Sequence, residues 1–563
     1  MQAARVFDLA AHRADGGSGV LRAFKSWMQQ QRRERELGRE QQQAAAEFRR
    51  FGGSSRMMPP RIASASLPQP GFPRVSGQRA FAAAASSRLT SGWGAFATGI
   101  NADLEGALAA LVARSRDWAV NTDLGRRYVS LVQNNVPGAT GPTLQVRAKN
   151  ADGKLDEAAN AAIEAAWSDW CSYGNCDVTG RMSFADVCRT VIACDARDGE
   201  HLVRKVRGRA YSYGFRLQVL DVDRIATNVA ISQADRGNVV RLGVEINSLG
   251  RCVALHLMSA HPGDPGAGAA PSVITQRVPI DELLHGFIQE RPEQVRGYPW
   301  AAAVLLSADQ LATYKQYALV AAKVGAAKMG FYTTSVDAMK EGTDWDHLKD
   351  ATGALVQDVE AGMLEALPPG VTFQSFDPDY PHQAFEPFVN GHERGVATGL
   401  NVAHHNLTGN MTGVNFSSAR IAELGERSHW RGLQTWHIGT FVRPVYAEWL
   451  RMALVTQSIR LESGAPLPVE RFDKFYAASE FQGRSWEWVD PKNDMEAAEF
   501  ALRNDMRSLR QINDQQGVDT DAILVDKQSL IKRCQDLDIP LPGFLQPKAG
   551  AAAAPAPTNG GAA

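Results

Sequence analysis

The chain has 563 residues, 44% of them hydrophobic and 21% charged, with 60 Lys plus Arg against 61 Asp plus Glu. That length is enough for about three to four cores. A net charge of −1 excludes both a bulk polycation that coats nucleic acid and an acidic solvating tail.

Residues 1 to about 95 look weakly ordered. Gln29–Arg50 is charged and Gln-rich, and Phe51–Arg88 is rich in Gly, Ser, Pro and Ala. The N-terminus has no apolar core of signal-peptide type, so the protein is expected in the cytoplasm when made. The ordered body is expected from Leu104 to Leu545. Leu104–Val132 reads as one helix, followed by helices at Ala158–Trp170 and Phe184–Cys194. The period then changes to alternation. His201–Arg207, Phe215–Val222, Val239–Ile246 and Arg251–Met258 read as strands, with turns at Gly237-Asn238 and Gly250.

Pro299–Gly330 is a long helix with a first-turn proline. Ala301–Tyr332 is the longest candidate membrane span, but Asp309, Lys315, Lys323 and Lys328 break it. Glu341–Pro387 carries five prolines and reads as irregular. Arg394–Val402 is a short helical piece, and His404–Phe416 is a polar, Gly/Asn-rich loop. Ser417–Leu461 is a second long helix. Trp486–Val489 reads as a strand, Asn493–Gln515 and Thr520–Leu537 as helices, and Ala549–Ala563 as a disordered tail.

Signatures of chemistry are scarce. There is no GxxxxGK[ST], HExxH or GxSxG. The Gly263–Gly268 stretch lacks the Lys and Ser/Thr of a phosphate cradle. Four of six cysteines, Cys171, Cys176, Cys188 and Cys194, fall close together, but their spacing is not that of a zinc site. They read, with Cys252 and Cys534, as buried or idle thiols in a reducing compartment. Asp221 and Asp223 form a DxD pair on a strand that can ligate a divalent ion or simply face water. His404 and His405 are adjacent and point apart. Trp486 and Trp488 alternate, which suits core packing or a stacking platform. An enzyme reading, a metal-dependent nuclease using Asp221, Asp223 and His404, needs at least three converging ligands. The residues do not assemble that set.

Several segments resemble the lambda-type family of tailed-phage portal proteins. RPEQVRGYPW (Arg291–Trp300) is close to the family's "RPGQ-RG-PW" element, and IDELLHGF (Ile280–Phe287) to its "I-H-F" strand. Trp167–Phe184 matches a "W-W-D-G-F" stretch. DGEHLV (Asp198–Val203) and LQVLDVDRI (Leu217–Ile225) match its "GE" and "IE-DR" strands, and Leu242–Leu257 its "GVE-D-GRPVAYH" pair. NFSSARIAELGERSHW (Asn415–Trp430) resembles its "YSSAR" helix start, and WEWVDPKNDMEAA (Trp486–Ala498) its "W-WVDP-KEA" element. The matches keep their order from about Asp103 to Asp538. Phe416 replaces the usual Tyr, and Asn247 sits where an acidic residue is common.

The resemblance implies an α+β, portal-type subunit with a mixed α/β wing, long stem helices, a small clip and a helical crown, assembled as a ring of usually twelve subunits. It implies no enzyme activity, catalytic residue, metal or cofactor. The implied partners are further copies of the chain, double-stranded DNA in transit, the terminase large subunit, major capsid and scaffold proteins, and a head-completion adaptor, with no membrane. The implied place is the capsid vertex of the virion, after assembly in the host cytoplasm. By length and pattern the parts fall at 96–298 (wing), 299–330 (stem helix), 331–385 (clip), 386–402 (second stem helix), 403–416 (tunnel loop), 417–461 (long helix) and 462–541 (crown). A flexible arm, 1–95, and a tail, 542–563, flank them. A head-completion or minor capsid protein without a channel is the competing structural reading.

Further expectations concern individual residues. In the tunnel loop, Asn406, Thr408, Asn410, Thr412 and Asn415 are neutral groups that can touch phosphate and release it, and His404 and His405 are further candidates for contact with a polyanion. Lys315, Lys323 and Lys328 are candidate channel-facing cations on the stem helix. In the long helix, Ser417 or Ser418 is expected as the cap, and Pro444 is expected to kink or interrupt it near Thr440, at a cost of roughly 3 kcal/mol in an ordinary helix. Gly425, Gly432 and Gly439, seven residues apart, lie on one stripe and suggest another backbone packed closely, within or between subunits.

Overall fold

A computed structural model describes residues 97–227, 237–264, 274–326, 330–334, 371–375 and 383–541. The expectations for the N-terminal arm, the tail, the tip at Gly263–Gly268, Lys328 and most of the clip lie wholly or largely outside these residues. The chain divides into two units. One comprises 1–98, 233–239 and 247–251, and little of it falls among the described residues beyond the tight turn at 247–251. The other holds all that follows.

Helix α1 (Ile100–Asn121) and helix α2 (Asp123–Asn135) replace the single helix expected over Leu104–Val132. The helical period runs through both, so the break is not visible in the pattern. Thr122 is extended, and its hydroxyl accepts from the Gly125 amide as the cap of α2. A Cβ on Gly125 would lie 2.3 Å from the Trp118 carbonyl oxygen, so the reversal needs glycine there.

Next come β1 (Thr143–Val146), α3 (Glu157–Cys171) and α4 (Phe184–Asp198). Ser183 and Asp186 form a reciprocal cap on α4, and Gly199, left-handed at φ 92°, ends it. Strands β2 (Glu200–Arg207), β3 (Phe215–Leu220) and β8 (Leu283–Phe287) form an antiparallel sheet with β2 in the middle. A second sheet has the order β4 (Val239–Arg241), β5 (Val244–Ile246), β6 (Cys252–Met258), β7 (Thr275–Pro279).

Helix α5 (Leu305–Ala326) begins six residues after Pro299, because 299–304 form turns rather than the first helical turn. Strands β9 (Gly330–Thr334) and β10 (Val371–Ser375) pair antiparallel, and β10 lies inside Glu341–Pro387, where an irregular segment was expected. Helix α6 (Phe385–Gly399) packs on α5, and the short α7 (His404–Thr408) lies inside the expected loop. The long helix runs as α8 (Phe416–His437), a π turn (Ile438–Val442) and α9 (Arg443–Val455). After α10 (Phe472–Ala477), strand β11 (Ser479–Gln482) pairs with β1 across more than 330 residues of sequence. Residues 486–489 are not a strand. The expected helix Asn493–Gln515 is two, α11 (Pro491–Arg503) and α12 (Leu509–Gln515), followed by α13 (Thr520–Asp536).

Three cores result. The largest is aromatic: Trp167 and Trp170 of α3 stack at 5.0 Å, and Trp167 meets Trp449 at 4.9 Å and Tyr446 at 5.3 Å, both on α9. Trp170 also donates to the Phe215 carbonyl at 3.0 Å. A second core joins α2, the start of α5, α6 and α8, and a third joins α1 to the two sheets. Among the described residues, no helix is long and apolar enough to cross a membrane.

Candidate functional site

Many of the motif residues meet one another across the fold. Glu200 opens β2 directly after the Gly199 turn and has no exposed surface. Arg296 reaches it through Nε at 2.7 and 2.9 Å and through Nη2, and donates from Nη1 to the Leu242 carbonyl at 3.0 Å. His285 Nε2 lies 2.9 Å away, and the Gly297 amide donates at 3.0 Å. Burial pushes the Glu200 carboxyl up, but the Arg296 charge and the hydrogen bonds from His285 and Arg296 outweigh it and hold it at about 2. The two glycines let the strands approach: a Cβ on Gly297 would lie 2.1 Å from the Gly199 carbonyl oxygen. The "GE" and "RG" motifs are thus two halves of one buried clasp.

Asp221 and Asp223 do not sit on a strand. Asp221 follows the end of β3 and caps a 3-10 turn, accepting from the Asp223 amide at 2.9 Å. Arg116 of α1 donates to Asp221 at 2.9 Å, to Asp223 at 2.6 Å and to Asp198 at 2.8 Å. Burial lowers the pKa of this guanidinium, but the three carboxylates raise it further, so it stays charged. His261, not His404, joins the pair, and the three donor sets lie within 4.8 Å of one another. The guanidinium already supplies the positive charge that a divalent ion would bring. The nuclease constellation of Asp221, Asp223 and His404 does not form: His404 Nε2 faces Glu393 at 3.7 Å instead. Nothing in the local sequence around Arg116 signals its role.

The segment expected as a loop is partly spent on its own frame. Asn406 donates to Glu423 at 3.1 Å and to the buried Glu426 at 2.8 Å, so its amide is turned inward. Asn410 donates to Asn390 at 3.2 Å and accepts from the Thr412 amide. His405 is half-buried. Asn415 is exposed and is the cap of α8: its side chain accepts from the Ser418 amide at 2.8 Å while the Ser418 hydroxyl accepts from the Asn415 amide at 3.1 Å. The expectation of Ser417 as the cap is therefore corrected; the helix starts one residue earlier, and the N-x-x-S spacing makes a reciprocal box. Met411, Thr412, Asn415 and Phe416 are the exposed side chains of the tip, and Met411 and Phe416 were missed because the segment was read for polarity.

Lys315 is paired with Glu393 at 2.7 Å and Asp123 at 3.5 Å, which ties α5 to α6 and α2. Lys323 is exposed. No atom lies within 4 Å of a Cβ added at Gly425, Gly432 or Gly439, so nothing in the described chain packs on that stripe. A close-packed partner for the stripe is therefore absent among the described residues of the subunit.

Pro444 disturbs the helix where expected, but in another form. The chain neither ends nor restarts. It stays in the right-handed region through the π turn, and the wider turn accommodates the missing amide. Thr440 donates its hydroxyl to the Trp436 carbonyl at 2.8 Å within that turn.

Trp486 is buried, with the guanidinium carbons of Arg427, Arg431 and Arg484 between 5.7 and 5.9 Å from its ring. Its indole donates to Asn135 at 3.0 Å. This is packing of the cation–π kind, not a stacking platform. Four residues on, Asp490 caps α11, and Arg420 of the "SSAR" element binds Asp494 at 2.7 Å and Asp490 at 3.5 Å. Two further motifs, more than 60 residues apart, are again partners.

The chain matches the model of the phage portal protein family described as lambda family over residues 86–434. It is 32% identical over 466 residues to a "Probable portal protein" of Halomonas phage phiHAP-1, covering 82% of this chain and 88% of the relative. Among solved structures it is similar to a chain of the neck of a native gene transfer agent particle computed with C12 symmetry (12% identity, 72% of this chain and 93% of that chain, TM-score 0.37). It is also similar to one from the neck of the empty particle computed with C6 symmetry (13%, 73% and 94%, TM-score 0.38). By the first two matches, the chain belongs to the lambda family of phage portal proteins, and its role is that of a portal, or connector.

Proposed function

We propose that the protein forms a closed ring of twelve like subunits at one capsid vertex, through which viral DNA is packaged and later released. What carries the reading, beyond family membership, is a surface that one subunit leaves unpartnered. Helix α8 turns Ile421, Leu424, Gly425, Ser428, Gly432 and Thr435 to water, at spacings of three and four. Helix α5 packs one side through Ala308, Leu311 and Ala318, yet exposes Tyr317, Leu319 and Val320 on another. A helix apolar on two sides is a buried helix. Copies placed side by side around an axis would cover these surfaces with two different patches, the heterologous contact that closes into a ring.

In that ring the tip at Met411, Thr412 and Phe416 would face the axis, with His405, Asn410 and Asn415 beside it and Lys323 and Lys328 on the stem. These groups offer few fixed charges. A lining that neutralised many phosphates would bind DNA tightly and hold it, whereas neutral and apolar groups let it slide. On the same reading, 331–385 forms the clip that meets the terminase large subunit, and the adaptor, scaffold and major capsid proteins contact the rim. Assembly proceeds in the host cytoplasm and ends in the virion.

Light scattering coupled to size exclusion, with negative-stain images of the peak, tests the reading. A species near twelve times 61.1 kDa seen as rings with a central hole is expected. A monomer at all protein and salt concentrations, with and without scaffold protein, refutes it.

A further inference from the structure

Three guanidiniums converge on one indole. Arg427 and Arg431, four apart on α8, and Arg484 place their guanidinium carbons 5.9, 5.7 and 5.8 Å from the centre of the Trp486 ring. A single contact of this kind contributes about 0.5–1 kcal/mol at an exposed site. Three of them bring like charges together, which costs energy unless an anion offsets it.

Their own partners offset little of that charge. Arg427 donates to the Glu423 carboxylate at 3.1 Å and to the Glu487 carbonyl at 3.1 Å. The other Glu423 oxygen takes the Asn406 amide. Arg484 donates to neutral oxygens, the Asn134 carbonyl and the Asn135 side chain. Burial and the Arg427 charge lower its pKa, against the opposing pull of Glu423. Arg431 makes no hydrogen bond or ion pair among the described residues. Even with the exposed Glu487 counted, positive charge is in excess.

Beside these groups opens a cavity of about 600 Å³. Asn135, Arg427, Arg484, Ser485, Trp486 and Gln516 are among its walls. The Ser485 hydroxyl and the Gln516 side-chain amide have no partner among the described residues. A Cβ on Gly517 would lie 2.5 Å from Ser485 Oγ, so the turn after α12 closes on that hydroxyl. The lining thus offers planar N–H forks and neutral donors. That set suits a tetrahedral oxyanion, whose oxygens accept from several directions. The volume is that of a small-molecule site and is too small for a nucleic-acid duplex. Trp486 is only 9% exposed, which leaves little of its face for a base to stack on.

We propose that this cavity binds a small phosphate anion, inorganic phosphate or a free phosphomonoester, through Arg427 and Arg484, with Ser485 and Gln516 as neutral donors and Arg431 adding its charge at the same ring. The anion bridges α8, the 484–486 segment and the turn after α12, so occupancy stabilises that joint by mass action. The site belongs to one subunit and does not depend on the ring.

Isothermal titration calorimetry of the full-length protein with inorganic phosphate, at constant ionic strength in a chloride buffer, tests the site. Saturable binding of one phosphate per subunit is expected, with an unfolding midpoint that rises with phosphate. Arg484→Gln should weaken binding about tenfold or more, as charge-assisted hydrogen bonds are lost. Arg431→Gln, which breaks no hydrogen bond, should weaken it about two- to fivefold, and Glu487→Gln should tighten it by a similar factor. Urea unfolding without phosphate shows whether each variant is folded; Arg431→Gln and Glu487→Gln carry the test if Arg484→Gln is not. No saturable binding by the wild type overturns the proposal, as does binding that neither of these two variants changes. A short duplex DNA that displaces the phosphate overturns its assignment to a small anion.

Discussion

Replacing Arg296 with Met keeps the aliphatic stem and removes the guanidinium from a carboxylate that no water reaches. Glu200 would retain only His285 at 2.9 Å and the Gly297 amide at 3.0 Å. Its carboxyl sits at about 2, where a free glutamate sits at 4.5. At about 1.4 kcal/mol per tenfold in acidity, the folded site favours the ionised form by about 3 kcal/mol after the cost of burial. Breaking one side of a buried pair costs about 3–5 kcal/mol, so Arg296→Met should destabilise the protein by that amount at neutral pH. The pH dependence is specific. In the wild type the folded carboxyl is more acidic than the unfolded one, so its contribution is complete above about pH 4.5 and is lost as the pH falls toward 2. In the variant, burial acts without the Arg296 charge. The carboxyl becomes a weaker acid than in the unfolded chain, and stability is lost as the pH rises above about 4.5. The gap between the two proteins should be widest near pH 7.5 and should narrow by about pH 5. Urea unfolding of the full chain, followed by the fluorescence of its 12 tryptophans, measures it. Adding Glu200→Gln to Arg296→Met should recover part of the loss, because the unpaired charge goes. A loss under about 1 kcal/mol, or one independent of pH, refutes the clasp.

Gly432→Leu should leave the subunit folded, because its Cβ direction is open, and should abolish assembly in light scattering; normal rings would reject the reading of the glycine stripe as an interface. Lys315→Met should cost about 2–3 kcal/mol by stranding the buried Glu393, and Glu393→Gln added to it should restore most of that; no loss in urea unfolding would mean the pair is idle. Cys176 and Cys188 have no exposed surface, and burial pushes the Cys176 thiol up to about 12 and Cys188 well above the usual range. Neither should react with a disulfide reagent at about pH 8 until the chain unfolds, and modification at the rate of a free thiol would contradict the packing. Pro444→Ala returns an amide to the turn. Stability should change by less than about 1 kcal/mol, since a new hydrogen bond offsets the freer unfolded chain. The amide restored by that substitution should be protected in hydrogen exchange, and rapid exchange there would show that the turn is not the proline's doing.

Much of the chain order was legible because it depends on local periodicity. The strands His201–Arg207, Phe215–Val222 and Arg251–Met258, the helix after Pro299 and the long helix after the polar loop are present, with ends shifted by a few residues, whereas the strand expected over Val239–Ile246 is two, parted at Leu242 and Gly243, both at positive φ. What was not legible depends on contacts far along the chain. The break at Thr122 is set by Gly125 against the Trp118 carbonyl, while the apolar period passes through without a pause. Trp486 and Trp488 alternate as in a strand, yet no neighbouring strand among the described residues pairs with them, and three arginines pack around Trp486 instead. Asn406 reads as a free amide in a polar loop, but Glu423 and Glu426, 17 and 20 residues on, take it. The cap was misplaced for a local reason: Asn415 and Ser418 together outdo Ser417 because each satisfies the other's amide.

The motif residues argue for a frame. Glu200 with Arg296, Asp223 with Arg116, Arg420 with Asp490 and Asp494, and Trp167 with Trp449 each join segments between 60 and 290 residues apart. Each such residue is engaged by another part of the same chain. The residues that remain exposed on α5, the 403–416 tip and α8 include an apolar, small and uncharged set that the frame does not use. A protein built this way acts by holding a shape and presenting surfaces. Joints of this kind also make the long helix a shared part: α9 lies in the aromatic core, while the start of α8 is tied through Arg420 to the C-terminal helices. Between them the π turn at Ile438–Val442 is the point where the helix leaves its regular α geometry.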